Sequence, residues 1–188
     1  MSGSGHAGRI AAHYQEVWGH PGAPLPPPVS PRSHELPEDF AILRFEPRPA
    51  RQLWAYATCG MSQVDDVDPI EIHMFSPEES TEVVELLAAV AHYHRTGRAL
   101  GFGHTVNFGK PWIDVSECDH GLISLPYLDG PNMEDLRLSD NLTVKFGWLI
   151  PITAAEVDYK KVHGLEALEQ RLEDAAFNYL DPHRRSVC

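Results

Sequence analysis

The clearest hydrophobic pattern in the chain runs from Arg51 to Gly97. Leu53 to Thr58 carries Trp54 and Tyr56 on its even positions, and Ile70 to Phe75 sets Ile70, Ile72 and Met74 against Glu71 and His73. A period of two marks a half-buried strand, so both segments are expected in a sheet with one apolar face turned inward. Asp65, Asp66, Asp68 and Pro69 lie between them and predict a solvated turn. The period then changes. Val83, Leu86, Leu87 and Val90 share one face of a helix. Ser76 as N-cap, Pro77 in the first turn and Glu79 completing a capping box predict its start, and Gly97 its end.

The same reading extends to both sides. Ile10, Tyr14, Val17 and Trp18 predict a short amphipathic helix that docks on the rest. Pro21 to Pro37 is rich in proline and predicts an extended, polyproline-like linker. Phe40 to Phe45 predicts a strand that turns through EPRPAR into the segment above. Beyond Gly97, glycines 101, 103 and 109 punctuate a winding stretch with a short strand at Thr105 to Phe108. Leu122 to Leu128 predicts another strand. Leu142 to Ile150 is the strongest, with Leu142, Val144, Phe146 and Trp148 on one face. Thr153 with Glu156 forms a second capping box, opening a helix to His163. Gly164 stops it, and Leu165, Leu168 and Leu172 mark a further helix. The order predicts an α+β fold: a mixed, mainly antiparallel sheet packed with helices. The expected organisation is an N-terminal helix (1–20), a proline-rich linker (21–37), one domain (38–180) and a disordered tail (181–188).

Charge narrows the choice of partner. Acidic residues outnumber basic ones by 27 to 15, a net charge of -12, which argues against binding a nucleic-acid backbone and suits a basic protein. No apolar run is long enough to span a membrane, and the N-terminus lacks the pattern of a signal peptide. Cys59, Cys118 and Cys188 are too few and too far apart for a disulfide framework. A reduced, cytoplasmic setting is therefore expected, without nucleic-acid or membrane partners. The oligomeric state is left open.

The sequence shows no recognisable catalytic motif. There is no HExxH, GxSxG or GK[ST], and the glycines at 101 and 103 do not have the GxGxxG spacing. His92 and His94 point roughly 200° apart on a helix and cannot chelate one ion. Cys118, Asp119 and His120 are adjacent, and a composite site of His73, His104 and His120 stays open at this level. Cys59 reads as a buried thiol in a strand rather than a nucleophile. Arg44, Arg48 and Arg51 read as surface partners of carboxylates. No catalytic residue, metal or cofactor is expected. Tyr93 and His94 close the long helix near His104, either packing there or rimming a surface patch.

Taken together, LRFEPRP, WAYATCGMS, IEIHMFSPEE, LLAAVAHYHRTG, GFGHTVNFGKPW, LISLPYL and VKFGWLIPITAAEVDYKKVHGLEALEQRLE carry a family resemblance over about Glu35 to Glu173. In their order and spacing the chain resembles the suppressor of fused family, in its bacterial single-domain form. The resemblance implies a binding fold and no enzyme. Animal members are two-domain proteins that sequester transcription factors, gripping an extended peptide between the domains partly as an added strand. Bacterial members include immunity proteins that neutralise toxins. This chain matches only the N-terminal half of the animal proteins, so their inter-domain cleft is missing. Tyr93 matches a peptide-contacting tyrosine. His104 matches the histidine of a Gly-Asp-His motif, with Gly103 in place of its acidic residue. The resemblance thus implies a partner-binding set of Tyr93, Gly103 and His104. The resemblance and the charge lead to two expectations, an immunity-type inhibitor of a basic toxin and a peptide-binding scaffold or chaperone, and the 11 histidines leave a small metal-dependent hydrolase as a third. The scaffold requires an uncovered edge strand at Phe40 to Phe45 or Thr105 to Phe108.

Overall fold

The computed structural model describes residues 5–28 and 35–188. Its organising strand comes from the most β-prone run in the chain, LTVKFGWLIPI. This is β8, Leu142–Ile152. On one side β8 pairs in parallel with β4, Ile70–Ser76, from Ile70↔Lys145 to His73↔Trp148. On the other side its first part pairs antiparallel with β7, Asp135–Ser139, and its second part with β6, His120–Ser124. β2 (Ala41–Phe45), β3 (Trp54–Cys59) and β4 form an antiparallel meander. β1 (Ala23–Leu25) and β5 (Thr105–Asn107) end the order β1-β2-β3-β4-β8-β6-β5. The sheet is mixed and mainly antiparallel, as the sequence predicts.

Helices cover both faces. The apolar face of α2, Thr81–Thr96, packs Val83, Leu87 and Val90 on Ile42, Tyr56, Ile72 and Met74. The opposite face carries α1 (His6–Trp18), α3 (Ala154–His163) and α4 (Leu165–Asp174). There Ile10, Tyr14, Val157, Leu168 and Leu172 join Phe45, Phe75, Phe146 and Trp148 in a second cluster. Ile10 and Tyr14 are fully buried, so α1 is a layer of the core rather than an appendage. Each such side chain contributes about 1.5–3 kcal/mol of transfer free energy on burial.

The structure departs from the sequence pattern at several points. The alternation in β4 predicts one polar, solvent-facing side, yet all seven residues are buried, Glu71 and His73 included. The reason is α1: Tyr14 and Trp18 lie over His73, with ring centroids 6.4 and 5.4 Å away. The N-cap of α2 is Ser80, whose Oγ accepts the Val83 N–H at 3.2 Å, not Ser76. Ser76 is held in the ladder opposite Trp54, and Glu79 turns to Arg44. Tyr56 accepts the Ser80 N–H at 2.8 Å, which sets the height of the helix above the sheet.

Part of the proline-rich stretch forms β1, which pairs with β2 through Pro24↔Leu43; residues 29–34 of the expected linker lie outside the described residues. An edge position leaves the missing N–H of proline without consequence. β7 was not anticipated, because a short strand with Asp, Arg and Ser at alternate positions reads as loop. The stretch 181–188, expected to be disordered, instead sends Arg184 into the core.

Two buried carboxylates hold these parts together. Glu71 accepts hydrogen bonds from Thr58 Oγ1 (2.6 Å), Ser62 Oγ (2.7 Å) and the backbone N–H groups of Gly60, Met61 and Ser62 (3.2, 3.3 and 2.9 Å). Burial raises its proton affinity above the ordinary glutamate value, and these donors offset only part of the rise. Gly60 sits at φ +91°, and a Cβ there would come within 3.1 Å of the Asp39 carbonyl oxygen. Only glycine fits this turn. The second carboxylate, Glu156, completes the α3 capping box and receives Arg184 Nη1 at 2.7 Å and Nη2 at 2.8 Å. Burial pushes this carboxyl up, but Arg184 and the N–H groups of Thr153 and Val187 outweigh it, leaving it below its ordinary value.

Glu71→Gln places an amide NH2 among donors and leaves a buried N–H such as that of Met61 without an acceptor. The urea midpoint is expected to fall by the equivalent of about 1–3 kcal/mol; an unchanged midpoint would show that the clamp carries no stability. A second expectation concerns acid. Because the Glu156 carboxyl is depressed in the fold, its contribution is complete above the unfolded glutamate value and is lost as pH falls through the folded one. Thermal midpoints measured down that range should drop for the wild type and flatten for Glu156→Gln. Arg184→Ala, which strands the carboxylate, should cost about 3–5 kcal/mol at neutral pH.

Candidate functional site

The residues with the most chemical potential lie inside the protein. His73 and Asp129 meet in the core, with Nε2 3.2 Å from Oδ2 in an electrostatic contact rather than an aligned hydrogen bond. Trp18 Nε1–H donates to Asp129 at 2.8 Å, and Arg51 pairs with the same carboxylate while lying over the rings of Trp18 and Phe75. Burial pushes the Asp129 carboxyl up, yet His73, Arg51 and Trp18 together hold it below its ordinary value. Both side chains are shut off from solvent. The arrangement locks α1 and the 125–130 loop to the sheet and offers no route to a substrate. Arg51 is thus bound to a buried carboxylate rather than a surface one.

Cys59 is likewise structural. Its Sγ–H donates to the Ala7 carbonyl at 3.2 Å, and burial pushes the thiol up to about 12. So high a value leaves almost no thiolate at neutral pH. His94, considered for the rim of a surface patch, is buried; its Nδ1 accepts the Leu100 N–H at 2.9 Å, and burial lowers its proton affinity. The composite set of His73, His104 and His120 does not assemble. His73 faces Asp129, His104 lies exposed on a turn, and His120 Nδ1 contacts Asp119 at 2.6 Å. Among the described residues, no group of three or more His, Cys, Asp or Glu side chains could hold a metal ion.

The surface reading starts from the end of α2. Tyr93 is 45% exposed on the outer side of the helix. With Leu86, Ala89 and Val90 it faces Thr105, Val106 and Phe108 across a shallow apolar groove of about 220 Å3. β5 forms the far wall, and among the described residues it is an uncovered sheet edge. Its register fixes which backbone groups are free. The Phe108 N–H donates to Asp119 O at 2.9 Å and His104 O accepts from the Ile123 N–H at 3.0 Å. In an antiparallel pair bonded residues alternate, so Thr105 and Asn107 direct their N–H and C=O groups outward. The other sequence-predicted edge, β2, is covered by β1.

Gly103 and His104 belong to the turn that leads into β5. The His104 N–H donates to the Gly101 carbonyl at 3.1 Å, and His104 Nδ1 accepts the Gly101 N–H at 3.2 Å. Gly103 has φ +76°, and a Cβ there would approach Leu165 of α4 at 3.1 Å. Neither residue lines the Tyr93 groove. The predicted set is therefore divided: Tyr93 borders β5, while Gly103 and His104 shape its entrance. A larger groove lies along α4, where Glu166, Glu169 and Glu173 recur at helical spacing, a signal readable in the sequence.

The suppressor of fused protein (SUFU) family matches residues 37–185. The crystal structure of a suppressor of fused homologue from Neisseria gonorrhoeae superposes with TM-score 0.83 at 32% identity, covering 97% of each chain. The crystal structure of the Sufu–Fu complex aligns over 99% of this chain and 93% of that one, with TM-score 0.72 at 14% identity. Drosophila Suppressor of Fused aligns over 95% of this chain but 50% of its own, with TM-score 0.70 at 15% identity. At those identities the last two show a shared fold alone. Among curated proteins, none matches. The family match runs from before β2 to Arg185, and the Neisseria relative extends the likeness over almost the whole chain; this protein belongs to the suppressor of fused family.

Proposed function

We propose that the protein is a non-enzymatic binding module that takes an extended segment of a partner protein along β5, beside Tyr93. One observation carries this reading: β5 is an uncovered edge with outward N–H and C=O groups, flanked by an apolar groove. An edge of this kind supplies backbone hydrogen bonds, and the groove supplies side-chain selectivity. Family membership supports it, since a relative of the same fold has been crystallised as the Sufu–Fu complex. His104 and Gly103 set the angle at which β5 leaves its turn, and Tyr93 contributes contact area.

A second, finer reading makes the partner a basic toxin and the protein its immunity-type inhibitor, acting in the cytoplasm. The net charge of -12 favours it, because complementary charge accelerates encounter with a cationic protein. The scaffold reading and the inhibitor reading share the same surface and differ in the fate of the captured protein. A metal-dependent hydrolase has no support from the three scattered histidines.

The test uses the full chain as bait in a lysate of its source cells, with Asn107→Pro and Tyr93→Ala beside the wild type. Proline at position 107 removes an outward donor and spares the bonds of β5 to β6. Loss of a backbone hydrogen bond of ~1 kcal/mol predicts about fivefold weaker capture of a specific partner for Asn107→Pro. Tyr93→Ala should weaken it at least as much. A partner held equally by all three proteins would place the binding site elsewhere. Protection of cells from a co-expressed toxin, present with the wild type and lost with both variants, would single out the inhibitor reading.

A further inference from the structure

On the opposite side of the sheet from the Tyr93 groove, α4 stands away from β8 and leaves a cavity of about 660 Å3. This is the size range of sites that enclose side chains or small ligands. Its floor is Trp148 and Ile150 of β8 with Leu172 of α4. Phe177 and Tyr179 form one wall. The rings are fixed against one another: Trp148 and Tyr179 meet edge to face with centroids 5.0 Å apart at 88°, and Phe177 and Tyr179 at 6.1 Å and 62°. On the other lip, Tyr127 and Leu128 are 60% and 48% exposed, large apolar groups held out to solvent.

The charged groups of the lining are all acidic. Glu166, Glu169 and Glu173 line the groove from one face of α4, and no lysine or arginine lines it. Many other carboxylates of the protein are neutralised by ion pairs, among them Asp66, Glu79, Glu85, Asp129, Asp158 and Glu156. Among the described residues these three are in none. Glu169 is nevertheless oriented, accepting from Ser124 Oγ at 2.6 Å. Burial raises the Tyr127 hydroxyl, Glu169, Glu134 and Glu173 add to the rise, and a hydrogen bond with Ser124 opposes it.

Aromatic walls with unneutralised carboxylates above them suit one kind of guest. A guanidinium or ammonium group gains from the faces of aromatic rings and from the carboxylates, while its aliphatic stem covers the apolar floor. A purely apolar guest would strip water from the glutamates without return, and an anionic one would be repelled. A second copy of this chain is disfavoured by the net charge of -12 that each copy carries.

We infer that the groove between α4 and β8 is a docking site for a basic segment of a partner protein. An arginine- or lysine-bearing stretch would lay its stem on Trp148 and Tyr179 and place its charge among Glu166, Glu169 and Glu173. This site is separate from the β5 edge, on the other face of the sheet, and stands or falls independently of it.

The inference is tested by fluorescence anisotropy at low salt with a labelled peptide of alternating arginine and leucine, and with its glutamate-leucine counterpart. The wild type should bind the first saturably and the second not at all. Glu166→Gln combined with Glu173→Gln should weaken binding about tenfold, and Tyr127→Ala by a similar factor, with thermal midpoints near wild type. Asp65→Asn combined with Glu78→Gln removes the same charge at a distance and should change affinity by less than about twofold. The inference is overturned by absence of saturable binding, or by equal weakening in the remote pair, which would reduce the effect to net charge. It is also overturned if sedimentation shows a dimer of the wild type that Tyr127→Ala dissociates, since the groove would then belong to a second copy.

Discussion

The fold depends on how the carboxylate of Glu71 is satisfied in the middle of the sheet. A charged group without solvent is tolerated only where donors surround it, and here they come from the turn that joins β3 to β4. That turn can form only with glycine at position 60, whose missing side chain lets it rest on Asp39 and Phe40 at the entrance to β2. The same turn presents Ser62 Oγ to His6 of α1 at 2.9 Å. One side chain therefore ties the central strand to β2, β3 and the N-terminal helix. The Asp129 pair with His73 and Arg51 repeats the device two residues further along β4, joining it to the loop after β6.

Much of this architecture is legible in the residues. β3, β4 and β8 follow from period-two apolar runs, and α2, α3 and α4 from helical spacing with caps and glycine stops. The places that were not legible share a cause: each depends on a partner far along the chain. Glu71 and His73 read as a solvent face because nothing local announces that the 60–62 turn will close on the first and Tyr14 and Trp18 on the second. Ser76 and Ser80 are both competent caps, and only the extension of the β3–β4 ladder assigns the first to the strand. Pro24 reads as linker because its tolerance in a strand depends on being at the edge. Arg184 reads as tail because its partner, Glu156, is known as a buried group only once the α3 cap is folded. At the surface, Tyr93 lies beside the β5 edge, while Gly103 and His104 lie outside the groove lining. The acidic stripe on α4 is visible as spacing, but its meaning requires the rings of β8 and the 176–180 segment beside it.

The resulting molecule has two chemically different faces. On the α2 side is a narrow apolar groove beside open backbone hydrogen-bonding groups. On the α4 side is a wide aromatic cleft under unneutralised carboxylates. The reactive residue types, His73, Asp129, Cys59 and His94, are all spent on internal contacts. The core polar groups hold these two surfaces in position.

The parallel pairing of β4 with β8 has a kinetic consequence. Ile70 must wait for Lys145, so the centre of the sheet closes only after the intervening helix, β5, β6 and β7 have been made. Until then the β2–β4 meander carries an open apolar edge of the kind that templates aggregation. Its folding is governed by a contact of long sequence separation, which slows collapse to the native topology. Newly synthesised chains are thus most vulnerable in the interval between the emergence of β4 and that of β8. A chain shortened before residue 145 leaves β4 paired on its β3 side alone.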